Sequence, residues 1–457
     1  MNIKVSLPEK RANKKRNIFK TSQPGESQTS GYNSSLYIHR ALENARIRMG
    51  RFFKRNQLLG RKGAIGCVSL EISQRCNLDC SLCYLSESSS KVRDMPMEEL
   101  YKRLDMTLNT YGPGTNVQVS GGEPTLREKD ELLAIVRYAR RIGLNPALFT
   151  NGIKCSRVLL EELSEAGLSD VAFHVDLTQK RSDHKTEKEL NGLRMELMEM
   201  ARGLPLLVVF NTTVHESNFE EVPELVKFFI ENSDVVGMAS FQLQADTGRG
   251  TLHQRPQLIS LQSVQDKISQ GAGNVLPWDT ILIGHPKCHT YVPAFATNGK
   301  AFGIIDDELI FSDFLRDFSN VTHDRREGPA KIAWTYFKKG IRHPKWIIRA
   351  LTYFLPRMWK MKKDILLGKG RVNKISFFIQ NFMDKDNLDS ERIDACSFMV
   401  MTKDGPISMC KHNANRDDYI LQPIEISEGT ERKTFYPLAP NNGSQSTQIE
   451  PETLLNC

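Results

Sequence analysis

Between Gly66 and Leu243 the sequence alternates between two patterns. Short apolar runs rich in β-branched residues occur at Cys67–Ile72, Val117–Ser120, Ala147–Thr150, Val171–Val175, Leu206–Asn211 and Val236–Leu243. Helical patterns lie between them, over roughly 97–110, 126–142, 156–167, 186–203 and 219–231. Six strand–helix alternations require a parallel arrangement, because a strand that re-enters a sheet in the same direction needs a long crossover, usually a helix. The expected fold class is α/β: a partial (β/α)6 TIM-like barrel with a C-terminal α+β extension. Spacing alone leaves a doubly wound sheet open. In parallel barrels the chemistry sits on loops after the strand C-terminal ends, and each strong motif below lies at such an end.

The chain of 457 residues divides by composition. Residues 1–62 read as a basic arm followed by a helix over about Leu36–Gln57, with Ser34 or Ser35 as its cap. Residues 63–250 carry the barrel, and 251–330 form an irregular bridge. Residues 331–375 are basic and aromatic. Residues 376–457 read as short strands, with a turn at Asp404–Gly405, and a polar tail. No apolar run approaches the ~20 residues that span a bilayer. The N-terminus has no apolar core of the kind a secretory signal needs, so the expected location is cytoplasmic. Nine cysteines in a chain of this length do not form a disulfide scaffold, and clustered ones point to metal or catalysis.

The cluster that matters is Cys76-Asn-Leu-Asp-Cys80-Ser-Leu-Cys83, just after the first strand. Three thiolates on one short loop suit three irons of a cubane and leave the fourth iron open. A zinc site or three unrelated thiols is the competing reading. It is weaker because zinc loops use paired C-x2-C or added histidines. Gly121-Gly122-Glu123-Pro124 follows the second strand, Thr150-Asn151-Gly152 ends the third, and His174 and Asp176 end the fourth. Asn211, Thr212, Gln242 and Gln244 are further polar candidates at the fifth and sixth strand ends.

This set resembles the radical S-adenosylmethionine (SAM) superfamily over roughly residues 66–245. The resemblance implies a 4Fe–4S cluster on Cys76, Cys80 and Cys83, with SAM chelating the open iron and split reductively to methionine and a 5′-deoxyadenosyl radical. It implies that Gly121, Gly122, Glu123 and Pro124 hold the methionine amino group, and that Thr150 and Asn151 lie near ribose or adenine. It also implies a reducing partner such as ferredoxin or flavodoxin. His174 and Asp176 are expected to point into the barrel mouth, near the SAM ribose or the substrate, as cofactor-binding candidates.

Cys396 and Cys410 flank a hairpin, and Cys288 is a candidate third ligand for a second iron–sulfur cluster. The layout is similar to the start of a twitch- or SPASM-type domain, without the later dense cysteine run. Cys457, His412, His289 or the substrate are candidates for the fourth ligand. Cys67 and Cys155 read as structural.

Residues 331–374 interleave aromatics with Lys and Arg, and contain three of the four tryptophans. The segment fits a membrane surface. Nucleic acid ranks lower, and a helical cover packed on the barrel is the plain alternative. Pro344 and Pro356 are expected to break it into short pieces. The first functional reading is therefore a membrane-peripheral radical SAM enzyme acting on a lipid or isoprenoid, similar to the tetraether-lipid-synthase-like branch. The alternatives are a peptide- or metabolite-modifying twitch/SPASM-type enzyme, an RNA-modifying enzyme, and a non-enzymatic iron–sulfur carrier or sensor.

Overall fold

A computed structural model describes residues 34–438, apart from 182–183, 253–258, 322–325, 328, 342–343 and 429–430. The expected basic arm, the polar tail and Cys457 lie outside the described residues.

The opening helix α1 spans Ser34–Met49 and stops eight residues short of the expected end. Gly50, at φ +46, turns the chain into a short 3-10 segment. Six strands then fall where the alternation placed them: β1 (Cys67–Ser73), β2 (Asn116–Gly121), β3 (Asn145–Thr150), β4 (Asp170–His174), β5 (Leu207–Val214) and β6 (Val236–Leu243). They pair in that order, all parallel. The connecting helices are α2 (Met97–Tyr111), α3 (Lys129–Arg141), α4 (Arg157–Ala166), α5 (Asn191–Ala201) and α6 (Val222–Glu231). Their inner faces explain the pairing. Leu100, Leu104, Ile135, Val136 and Leu163 seal one stretch of the sheet, and Leu197, Val226 and Phe229 seal the next. Each strand is covered from outside, so the strands read as continuous apolar runs rather than alternating ones.

The later chain follows as α7 (Leu261–Ala272), β7 (His289–Thr297), β8 (Lys300–Gly303), α8 (Glu308–Phe318), α9 (Pro329–Ile341), α10 (Pro344–Leu367) and β9 (Asn373–Asn381). It continues with α11 (Ser390–Asp394), β10 (Phe398–Thr402), β11 (Gly405–Ser408), α12 (Met409–Ala414), α13 (Arg416–Ile420), β12 (Ile424–Glu428) and β13 (Glu431–Phe435). This region extends the barrel sheet. β9 adds in parallel to β6, and β10 adds in parallel to β1. The parallel run is therefore β10-β1-β2-β3-β4-β5-β6-β9, with β11 and β7–β8 antiparallel at its ends. The boundaries drawn at 250 and 376 do not divide this sheet. A six-stranded sheet would expose two unpaired edges, and these distant strands cover them.

β9 and β10 do not pair with each other, because each has its far edge occupied, by β7 and β11. Rings fill the gap between them: Phe398 lies 4.4 Å from His289, 5.8 Å from Phe378 and 6.4 Å from Phe382, centroid to centroid. The barrel is closed here by side chains instead of backbone hydrogen bonds.

α10 departs from expectation. Pro344 sits at its first position, where the missing N–H costs nothing, but the helix runs on through Pro356. The proline is exposed, so the carbonyl it leaves without a partner can meet solvent. Nearby, Arg357 Nη1 donates to Tyr353 O at 2.6 Å.

Candidate active site

The β1 exit carries the three cysteines into one cavity, which Cys76, Cys80 and Cys83 all line. Among the described residues, no three His, Cys, Asp or Glu side chains converge as a single metal ion would need. One thiolate on each of three irons is a looser demand, and three half-buried thiols on one loop at an open cavity fit it. Burial pushes the Cys76 and Cys80 thiols up, outweighing the Arg249 and Arg181 guanidiniums that act the other way. Coordination would offset that cost, since a metal holds its thiols deprotonated.

The loop is held by a segment that the sequence reading passed over. Cys83 N donates to Gly250 O at 3.1 Å, and Gly250 N donates to Cys83 O at 3.2 Å. A Cβ at Gly250 would lie 2.5 Å from Cys83 N, and one at Gly248 would lie 2.3 Å from Cys83 O. Arg249, between them, donates to Leu78 O at 3.3 Å. The signal was present as Gly248-Arg249-Gly250 just beyond the sixth strand, a pattern for close backbone approach. On the other side Ser81 N donates to Thr178 O at 2.7 Å.

Gly121 and Gly122 are required by the protein's own backbone. Cβ atoms there would lie 1.9 Å from Ser73 O and 2.0 Å from Arg75 O. Their absence lets Gly122 N reach Ser73 O at 2.8 Å and Glu123 N reach Arg75 O at 2.7 Å, which locks the β2 exit to the cysteine loop. Glu123 is almost fully buried. Its Oε1 accepts from Thr125 N, Thr125 Oγ1 and Thr150 Oγ1 at 3.0, 2.6 and 2.7 Å, and its Oε2 accepts from Asn151 N at 2.6 Å. Four donors fill most of what a carboxylate can accept. Glu123 thus builds the Thr150–Asn151 turn, and Asn151 Nδ2 continues the chain to Asn77 Oδ1 at 2.7 Å, between Cys76 and Cys80. Gly121, Gly122, Glu123, Thr150 and Asn151 all line the cavity, while buried Pro124 starts the turn behind it.

The fourth-strand pair splits into two roles. His174 lines the cavity. Asp176 does not point into the mouth: it is fully buried and accepts from Thr213 N at 2.7 Å and Thr178 N at 2.9 Å. Its Oδ2 lies 2.7 Å from His174 Nε2. Burial opposes protonation of His174, but the Asp176 carboxylate outweighs it and holds the imidazole above its ordinary range. Burial acts on Asp176 too, and His174 outweighs it, so that carboxyl lies well below its usual range. Strand alternation sorts the β5 candidates: Asn211 and Thr213 line the cavity and Thr212 is buried away from it. Gln242 lines the cavity beside Gln380, while Gln244, past the end of β6, is buried outside it.

Of the three later cysteines, only Cys410 lines the cavity. All three are buried and near one another, and each has a partner. Cys288 Sγ accepts from Arg392 Nε at 3.3 Å, Cys396 Sγ donates to Phe398 O at 2.9 Å, and Cys410 Sγ accepts from Met383 N at 3.4 Å. Among the described residues, His289 Nδ1 and His412 Nδ1 are buried without a hydrogen-bond partner. Burial holds the two imidazoles down, to about 3 and about 4 respectively. Cys67 and Cys155 are buried in β1 and beside Thr150, as structural thiols would be.

Residues 70–229 match the model of the radical SAM superfamily. The chain carries a radical SAM domain. It is 31% identical over 188 residues to 7,8-dihydro-6-hydroxymethylpterin dimethyltransferase of Methanocaldococcus jannaschii, covering 40% of this chain and 37% of that one. It is 28% identical over 179 residues to PqqA peptide cyclase of Bradyrhizobium diazoefficiens, covering 38% and 46%. The radical SAM match therefore spans less than half the length of these curated relatives. Among solved structures, Streptococcus suis SuiB bound to S-adenosylmethionine aligns over 50% of this chain and 51% of its own, at 18% identity and a TM-score of 0.35. Native anSMEcpe with bound AdoMet aligns over 65% and 100%, at 15% identity and a TM-score of 0.35.

Proposed function

We propose that the protein is an enzyme in which Cys76, Cys80 and Cys83 hold a 4Fe–4S cluster, while the β2, β3 and β4 exits hold SAM. What carries the reading is the meeting of three thiols from one loop, the Gly121–Gly122 backbone and the Thr150–Asn151 turn on one cavity. Bound there, the cluster and SAM supply reductive cleavage to methionine and a 5′-deoxyadenosyl radical, which takes a hydrogen atom from substrate. The chain's residues supply position. Glu123 fixes the turn, Asn77 and Asn151 tie it to the cysteine loop, and Asp176 orients His174 at the wall.

We read the substrate as a lipid or isoprenoid. Phe382, Met383, Phe398, Val400 and Met409 make an apolar wall, contributed by residues in and around β9, β10 and α12. The relatives named PqqA peptide cyclase favour a second reading, a peptide substrate. In either case Cys288, Cys396 and Cys410 are the proposed ligands of a second cluster.

The test is anaerobic reconstitution of the wild type and of a Cys76/Cys80/Cys83→Ala variant, with iron counted and 5′-deoxyadenosine measured under reduction. We expect the variant to lose about four irons and all SAM cleavage. A variant that still forms 5′-deoxyadenosine overturns the proposal. Iron remaining in it reports the second cluster, and no remaining iron removes that cluster.

A further inference from the structure

We infer that the outer face of α9 and α10 is a docking surface for an anionic lipid bilayer. It rests on the fold of this segment and on neither the cluster nor the substrate.

α10 is apolar on two opposite sides. Its inward stripe is Trp346, Tyr353 and Met361. Tyr353 and Met361 are buried, and Trp346 packs on Phe318 with its indole N–H donating to Asp317 Oδ2 at 2.9 Å. These contacts, with Tyr353 Oη donating to Asp306 Oδ1 at 2.7 Å, fix which side faces the body. The other stripe is Ile348, Leu351, Leu355, Met358, Trp359 and Leu366. Leu355 lies about 200° round the helix from Tyr353, and the stripe keeps a 3–4 spacing from Ile348 to Met358, with Lys362 set between Trp359 and Leu366. Ile348 is 64% exposed, Leu355 61%, Trp359 70% and Leu366 77%. α9 repeats the pattern with Trp334, Phe337 and Ile341 outward, and Trp334 stacks on Phe337 at 5.5 Å. A packed helical cover would bury one stripe and leave the other polar, but this outward stripe is as apolar as the inward one. Runs of exposed apolar side chains of this kind mark a contact surface.

Charge selects the partner. Residues 331–374 contain thirteen Lys and Arg and one acid, Asp364. That acid is engaged by Lys300 at 3.1 Å and Asn298 at 2.9 Å. Lys345, Lys360, Lys362 and Lys363 stand exposed along α10. Lys362 Nζ lies 3.6 Å from the Trp359 ring centroid, a cation over an exposed indole. An anionic partner follows. The α10 stripe is aliphatic apart from Trp359, and the outward α9 rings Trp334 and Phe337 are stacked on each other, a face that suits acyl chains below a layer of anionic headgroups better than a row of stacked bases. Among the described residues no helix is long and apolar enough to cross a membrane, so the contact is along the surface.

The test is flotation of the full-length holoprotein with vesicles of phosphatidylcholine, with and without phosphatidylserine. We expect binding to the anionic vesicles that weakens with salt. Leu355→Glu with Trp359→Glu should cut it at least ~10-fold, and Lys362→Glu with Lys363→Glu should cut it about fivefold or more per lysine. Circular dichroism checks that the variants remain folded. Wild-type protein that stays unbound overturns the inference, as does binding that Leu355→Glu/Trp359→Glu leaves unchanged. Concentration-dependent dimerisation lost in that variant, without vesicle binding, assigns the face to a second copy and overturns it. RNA binding lost only in the lysine variant does the same. Flotation needs no SAM cleavage, so a protein that floats but forms no 5′-deoxyadenosine keeps this inference and refutes the proposed chemistry.

Discussion

Replacing Arg416 with Met should destabilise the protein at neutral pH far more than it does in mild acid. Arg416 is nearly fully buried in α13, more than three hundred residues from the strand it serves. Its Nη2 reaches Glu71 Oε1 at 2.6 Å and Gln74 Oε1 at 3.1 Å, and its guanidinium lies 4.7 Å from the Tyr84 ring centroid. Tyr84 Oη donates to Gly121 O at 2.5 Å. One cation therefore joins the C-terminal helix to β1 and to the residue after the third cysteine. Burial raises the Glu71 carboxyl, but Arg416, with help from His412 and Gln74, outweighs it and the net shift is downward. In the wild type this contribution to stability is present above the unfolded carboxyl range, about 4.3, and fades as pH falls through the lower folded value. Arg416→Met leaves Glu71 buried with only Gln74 and His412 beside it, so burial, the largest of the opposing effects, dominates and the shift changes sign. Breaking a buried pair in this way costs about 3–5 kcal/mol. The cost should shrink from pH 7 to pH 5, as the stranded carboxylate takes a proton. Denaturant unfolding followed by tryptophan fluorescence measures it, and Glu71→Gln with Arg416→Met should recover much of the loss. A cost under about 1 kcal/mol, the scale of a surface pair, or one independent of pH, would refute the reasoning.

Two other outcomes follow from the site. Gly250→Ala places a Cβ 2.5 Å from Cys83 N and 2.6 Å from Cys80 O, so the cysteine loop must shift. Reconstituted iron should fall by more than half, on the order of 1–3 kcal/mol of overpacking, while the unfolding midpoint of the barrel moves little. Asp176→Asn removes the charge that raises His174 and leaves the burial that lowers it. Histidine titration by NMR in the metal-free protein should then show His174 moving from above its ordinary value to below it. In the wild type, that raised value gives stability that is full below the unfolded pKa and lost as pH rises through the folded one; the variant should lack it.

The radical SAM domain was legible because its information is local. Six β-branched runs spaced by helical patterns placed β1 to β6 within a few residues, and Cys76, Cys80, Cys83, Gly121 and Thr150 each sit at a strand exit where chain direction alone puts them. What each residue does there was less legible. Glu123 spends its oxygens on the Thr150–Asn151 turn, and Asp176 turns away from the cavity to hold His174; both depend on donors from neighbouring strands. Nothing in a short apolar run names its partner, so the sequence by itself leaves β9 and β10 as part of an extension. They join β6 and β1 because those edges were unpaired. The clamp from Gly248 to Gly250 and the Arg416 bridge bring distant segments onto the cysteine loop. Composition showed that residues 331–374 are basic and aromatic, but only the packing of Tyr353, Met361 and Trp346 against the body decided which side of α10 remains outside. Sequence periodicity determines that a helix has two faces; the tertiary contacts that bury one of them determine which face is left for a partner.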